Sequence, residues 1–387
     1  MGTTFNIQNT KNQSKITLMS KTKQKEALTS EDQIQAFLDN KENKKYHYND
    51  LKEEDYKISS GSLNLDLAMG GGLGCGIHRF TGVNEGGKTS CSLSFAKHFQ
   101  EHFGDTGKVV YFKSEGRLSA EMLKRSGIDT SERKWCVIAC NVFEKVFELI
   151  RELVTKNDEK RKYMFIVDSM DALCRQIDYD KAFTDSEQVA GGSLIASVFL
   201  KKQALPIAMH GHIAIITSQV RIEIPANSYA AKAGPKQKQA GGFAVKHYAN
   251  YILEFQERNA STDIFYENPE AKKLDEKGNP VGHTCKVIFR KSVNEKTNAR
   301  VRYPIIYNRT GGNSIWLERE LVDMMRLWGY FEQSGAWITF DESTFEQFKD
   351  KGLPNKIQGE GRLISLLEEN RELSNLLVKD FKKMILK

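Results

Sequence analysis

Residues Gly82–Ser90 read Gly-Val-Asn-Glu-Gly-Gly-Lys-Thr-Ser: a glycine, four free positions, then Gly87, Lys88 and Thr89. This is the Walker A spacing of a phosphate-binding loop. Its glycines let the backbone turn N–H groups inward around phosphate oxygens. Lys88 then carries charge to the β- and γ-phosphates, and the Thr89 hydroxyl binds Mg²⁺. Glu85, Gly86 and Ser90 complete the expected nucleotide-binding stretch. The flanks agree: Ile77–Phe80 reads as a short strand and Cys91–Gln100 as a helix, whose N-terminus adds positive potential. The competing reading is a glycine-rich turn with a chance lysine. A strand, phosphate loop and helix in that order demand an α/β fold with a mostly parallel central sheet.

Three further apolar runs end in polar residues. Tyr163–Val167 ends in Asp168, as a buried strand does when it delivers one carboxylate to Mg²⁺. The run Val109–Phe112 leads to Glu115, which can polarise the water attacking a γ-phosphate. Ile213–Ile216 leads to Thr217, Ser218 and Gln219, and Gln219 can report the γ-phosphate. Singly, Glu115 and Gln219 also read as surface residues. Their shared position at strand ends, where open α/β sheets bind ligands, favours the functional reading.

At 387 residues, 28% charged and 40% hydrophobic, the chain has room for one large core and a smaller domain. No apolar run is long enough to cross a membrane, and no signal-peptide core opens the sequence. Six scattered cysteines, Cys75, Cys91, Cys136, Cys140, Cys174 and Cys285, are expected as buried free thiols of a reducing cytoplasm. The net charge of +7 favours polyanion partners without requiring them.

Two basic segments are candidate DNA-binding loops. The first, about Arg175 to Ser186, carries Arg175, Tyr179, Lys181 and Phe183, but also Asp178, Asp180 and Asp185, and is ambiguous alone. The second, Arg221 to Gly242, holds Arg221, Tyr229, Lys232, Lys236 and Lys238 with Gly241 and Gly242; Glu223 is its acid. A long structureless loop is usually functional or disordered. This one starts two residues after Gln219, where it can couple nucleotide to phosphate-backbone binding. A solvated surface loop is the alternative.

Ile58-Ser59-Ser60-Gly61-Ser62-Leu63-Asn64-Leu65-Asp66-Leu67, Gly241-Gly242-Phe243-Ala244-Val245-Lys246-His247-Tyr248-Ala249, Glu320-Leu321-Val322-Asp323 and Gly335-Ala336-Trp337 together resemble, in order, the bacterial RecA recombinases. The resemblance runs from about Ile58 to the C-terminus, and its altered positions point toward phage-encoded relatives. It implies an ATP- and Mg²⁺-dependent recombinase that assembles a helical filament on single-stranded DNA and exchanges strands with a homologous duplex. Single-strand-binding and loader proteins are further implied partners, in a bacterial or phage-infected cytoplasm and not on a membrane. The two loops would line the filament axis. Near Phe289-Arg290-Lys291, Lys291 matches one of two lysines that reach a neighbour's γ-phosphate, and Arg290 replaces the other. Met122 stands where an adenine-stacking aromatic is usual, and Lys113 where an acid is usual. Lys379, Lys382, Lys383 and Lys387 replace an acidic tail, which would remove self-inhibition. A replicative hexameric helicase and an ATP-switched recombination accessory protein remain alternatives.

Three parts are expected. Residues 1–46 form a polar extension, with Ser30–Asn40 as a helix capped by Ser30 and Gln33 and striped by Ile34, Phe37 and Leu38. By the resemblance this helix packs on a neighbouring subunit; packing on its own domain is the alternative. Residues 47–304 form the ATPase and DNA-binding core. Residues 305–387 form a small C-terminal domain, with helices over Leu317–Trp328 and Leu363–Leu377.

Overall fold

The computed structural model describes residues 29–40, 56–115, 118–180, 191–223, 236–239, 246–259, 262–268, 271, 273 and 276–385; of residues 191–194, 221–223 and 236–239 it describes the backbone alone. The chain divides into two compact units, Met1–Lys52 and Glu53–Lys387.

In the first unit the described element is helix α1, Ser30–Asp39. Its cap lies one residue earlier than expected. The Thr29 hydroxyl accepts the Asp32 N–H and Asp32 accepts the Thr29 N–H, a reciprocal capping box. Ser30 is already helical, so it cannot be the cap. Ile34 and Phe37 are exposed.

The second unit is built on a ten-stranded sheet. In chain order its strands are β1 (Gly76–Gly82), β2 (Gly107–Lys113), β3 (Trp135–Ala139), β4 (Lys162–Asp168), β5 (Ile213–Glu223), β6 (Lys236–Gln239), β7 (Ala249–Phe255), β8 (Ile264–Tyr266), β9 (Pro280–Lys291) and β10 (Arg300–Ile306). The spatial order is β10-β9-β7-β1-β5-β4-β2-β3, with β6 on β5 and β8 on β9. The pairs from β7 through β3 are parallel. β9 joins β7 antiparallel and β10 joins β9 antiparallel.

Helices cover both faces, as a parallel sheet requires. Helix α3 (Lys88–Phe103) lays Leu93, Phe95, Ala96 and Phe99 on one face, against Phe80, Met164, Ile215 and Leu253. These helix positions recur at three- and four-residue spacing, one stripe of an amphipathic helix. On the other face, α5 (Phe143–Thr155) and α7 (Gly191–Met209) pack Val146, Phe147, Phe199 and Leu200 against Ile77, Phe165, Val167 and Ile216. Three short helices complete this part: α2 (Leu63–Ala68) ahead of β1, α4 (Ala120–Ser126) after β2 and α6 (Gln176–Tyr179) after β4.

A third core gathers Leu63 of α2 with α8 (Leu317–Leu327), a three-stranded antiparallel sheet of β11 (Phe331–Ser334), β12 (Trp337–Phe340) and β13 (Lys356–Gln358), and helices α9 (Glu342–Phe348), α10 (Gly359–Glu369) and α11 (Arg371–Ile385). The single helix expected over Leu363–Leu377 is therefore two. Asn370 breaks it: its backbone leaves the helical region, and its Oδ1 accepts the Leu373 N–H at 3.1 Å, starting the next helix. Glu320 of α8 is wholly buried against α2, taking the Ser62 hydroxyl and the Leu63 N–H at 3.0 Å. Burial pushes its carboxyl up to about 8, against those hydrogen bonds.

Candidate nucleotide site and nucleic-acid interface

The phosphate loop crosses the C-terminal edge of the sheet between β1 and α3. Gly82 sits at φ 141°, and a side chain there would meet the Phe255 carbonyl oxygen of β7 at 2.1 Å. Only glycine fits that close approach. Glu85 at the loop apex is also left-handed, at φ 59°, and the Arg258 guanidinium donates to its carbonyl. Gly87 caps α3 at φ 111° with no side-chain hydrogen bond. The first N–H groups of a helix have no intrahelical acceptor, so this sixteen-residue helix points uncapped donors and its positive end at the loop. Lys88 Nζ donates to the Gly82 and Val83 carbonyls at 3.0 and 2.7 Å, within the ring that a phosphate would occupy.

Asp168, at the end of β4, gathers hydroxyls from three other elements. Its Oδ2 accepts Thr89 of α3 at 2.7 Å and Tyr111 of β2, and its Oδ1 accepts Thr217 of β5 at 2.6 Å. Burial, then the charge of Asp168 beside it, pushes the Tyr111 phenol up, so Tyr111 serves as a donor. The Thr89 and Asp168 oxygens form the oxygen-only donor set that Mg²⁺ prefers. Glu115 follows β2 and accepts the Ser169 hydroxyl, so it flanks the Asp168 turn. Gln219 registers with Gly82 across β1 and β5, and its N–H donates to Asp171 Oδ2 at 2.5 Å. The strand ends thus bring Gly82, Lys88, Thr89, Glu115, Asp168 and Gln219 around one edge.

Arg290 and Lys291 end β9. Arg290 is held bidentately by Glu254 of β7 at 2.7 and 2.8 Å, and Lys291 donates to the Lys246 and His247 carbonyls at 3.1 and 2.7 Å. A cavity of about 520 Å³ opens beside the loop, lined among others by Gly87, Ser90, Cys91, Arg125, Arg258 and Tyr307. Met122 of α4 instead packs half-buried against the main core.

The first basic segment begins with the short helix α6. Arg175 precedes it and is engaged by both Asp178 oxygens, which neutralises the charge expected to face DNA; Lys181 and Phe183 lie outside the described residues. The second segment is not structureless at its base. β5 continues through Arg221 to Glu223, and β6 returns antiparallel, pairing Arg221 with Lys238 and Glu223 with Lys236. Tyr229, Lys232, Gly241 and Gly242 lie outside the described residues.

Residues 41–293 match the model of the RecA N-terminal domain. The chain belongs to the RecA family. It is 27% identical over 332 residues to the protein RecA of Pseudomonas fluorescens, covering 85% of this chain and 83% of that one. Against the RecA of Solidesulfovibrio magneticus the identity is 26% over 295 residues, covering 76% and 75%. Against that of Cereibacter sphaeroides it is 25% over 294 residues, covering 76% and 77%.

In this RecA-family chain several polar neighbours of the site escape sequence reading. Tyr111 and Thr217 look like ordinary strand residues, and only sheet register brings them to Asp168. Arg258 lies far along the chain from Glu85. Of the six cysteines, all free, Cys91 and Cys285 are buried and the other four are half-buried; Cys75, Cys140 and Cys174 lie just outside the helices and strands. Among the described residues no helix is long and apolar enough to cross a membrane.

Proposed function

We propose that this RecA-family chain is an ATP-dependent homologous recombinase of the cytoplasm, with residues 47–304 binding nucleotide and DNA and 305–387 forming a second lobe. The observation that carries the proposal is the continuity of β5. One strand joins Gln219, level with Gly82 of the phosphate loop, to the β5–β6 hairpin that bears Lys236 and Lys238.

ATP with Mg²⁺ would supply a phosphoanhydride bond whose hydrolysis resets the site. Lys88 would turn from the Gly82 and Val83 carbonyls to phosphate oxygens, joined by the first N–H groups of α3. Thr89 and Asp168 would hold the metal. Glu115, beside Ser169, would accept a proton from the attacking water. Gln219 would hydrogen-bond the terminal phosphate and bias the hairpin between two positions. Arg221, Tyr229, Lys232, Lys236, Lys238, Gly241 and Gly242 would contact single-stranded DNA, with Arg175 joining once released from Asp178. Arg290 and Lys291 would face the nucleotide of an adjoining subunit, as the family resemblance implies. Base pairing with a homologous duplex would then read sequence.

Electron microscopy of the full chain with single-stranded DNA and a slowly hydrolysed ATP analogue tests this. Long helical filaments are expected for wild type and their loss for Lys88→Ala. Closed rings would point to a helicase, and no DNA-dependent assembly would overturn the recombinase reading.

A further inference from the structure

A guanidinium buried in the middle of a sheet is costly unless charge and hydrogen bonds are met. Arg79, in β1, is 1% exposed. Alternation along the strand puts it on the same face as Ile77, the face covered by α5 and α7. An aliphatic side chain would suit that position. Arg79 instead reaches toward the C-terminal edge of the sheet, where its Nε donates to Ser218 Oγ at 2.9 Å. Ser218 registers with Thr81, two residues further along β1. The bond therefore runs from the middle of the phosphate-loop strand to the residue before Gln219.

Asp171 completes the arrangement. It follows the Asp168 turn, its Oδ2 takes the Gln219 N–H at 2.5 Å, and its charge favours the charged form of Arg79. Burial draws that guanidinium down to about 10, so it is still cationic at neutral pH. β1, the turn after β4 and the end of β5 thereby share one polar node, buried at Arg79 and Ser218 and half-buried at Asp171 and Gln219. Buried networks of this kind have few acceptable geometries, because a partly satisfied one is costly. A displaced Gln219 must settle in another discrete arrangement rather than drift.

We infer that Arg79, Ser218 and Asp171 act as positioning residues that hold Gln219 level with the phosphate loop and pass nucleotide occupancy into the β5–β6 hairpin. The inference rests on the recombinase reading and identifies the relay within it. None of the three needs to touch nucleotide or DNA.

The test uses two mild variants of the full chain. Ser218→Ala removes the acceptor for Arg79 and leaves the backbone intact. Asp171→Asn keeps an acceptor for the Gln219 N–H and removes the charge facing Arg79. Single-stranded DNA affinity is measured with ADP and with a slowly hydrolysed ATP analogue, alongside nucleotide Kd and thermal midpoint. Each variant is expected to cut the analogue-to-ADP affinity ratio about fivefold or more, the lower range of allosteric coupling, with nucleotide Kd changed less than about twofold. The double variant should lose no more than the worse single one, since all three residues serve one node. Ser218→Thr, which keeps a hydroxyl, should restore the ratio. A lowered midpoint with the ratio intact would mark the node as merely structural and overturn the inference while leaving the recombinase reading in place. If wild type itself shows no rise in DNA affinity with the analogue, both fall together.

Discussion

Glu320→Gln should remove a pH dependence of stability that the wild type carries. Glu320 is fully buried, and its carboxyl is pushed from 4.5 up to about 8, chiefly by burial, while Ser62, Leu63 and Asn64 donate to it. The sign follows from proton counts. Between pH 4.5 and 8 the unfolded chain has released this proton and the folded chain has kept it. Folding therefore takes up a proton, and stability falls as pH rises through that window. The slope approaches about −1.4 kcal/mol per pH unit for one proton, summing to about 5 kcal/mol across the window. Glutamine cannot ionise, so the variant lacks this term. Asp66, raised to about 6 by its own burial, titrates in both proteins, and its charge is the smallest of the causes that raise Glu320. The assay is urea unfolding followed by tryptophan fluorescence from pH 5 to 8.5; Trp316, Trp328 and Trp337 lie on the Glu320 side of the chain. The stability difference between wild type and variant should move steadily toward the variant as pH rises. Parallel pH profiles would refute the reasoning, because they would mean that Glu320 releases its proton equally easily folded and unfolded.

Glu115→Gln should retain ATP binding and slow steady-state hydrolysis by roughly 10²-fold, the usual scale of general-base assistance; loss of nucleotide binding instead would mark Glu115 as structural. Replacing Lys232, Lys236 and Lys238 with alanine should weaken single-stranded DNA binding and flatten its log–log salt slope by roughly 0.7 per lost phosphate contact, with basal ATPase changed little. An unchanged slope in a fluorescence-anisotropy salt titration would remove this segment from the interface.

The phosphate loop was legible because its spacing is local: Gly82, Gly87, Lys88 and Thr89 lie within one turn between a strand and a helix. Asp168 was legible as the polar end of an apolar run, which forms β4, and there it accepts the Thr89 hydroxyl. What stayed hidden was long-range. Tyr111 and Thr217 meet Asp168 only through sheet register, and Arg79 sits in a strand that reads as interior. The helix break at Asn370 was missed because Leu363, Leu367, Leu373 and Leu377 keep an apolar rhythm across it. The hairpin base of the second basic segment was missed because Lys236–Gln239 has no apolar alternation; its pairing with β5 is carried by the backbone. The Arg175–Asp178 ion pair was not legible, because its three-residue spacing brings the two together only where α6 turns.

The order of strands has a consequence for how the protein comes into being. β1 carries the phosphate loop, yet its two sheet neighbours arrive much later in the chain: Gly76 pairs with Ile213 and Ile77 with Ala249. Parallel pairings between such distant segments close large loops and form slowly. A nascent or half-folded chain would hold the whole glycine-rich motif and still lack the Gln219 strand and the Phe255 carbonyl against which Gly82 rests. The phosphate-loop geometry is therefore a property of the completed sheet and not of the glycine-rich motif alone.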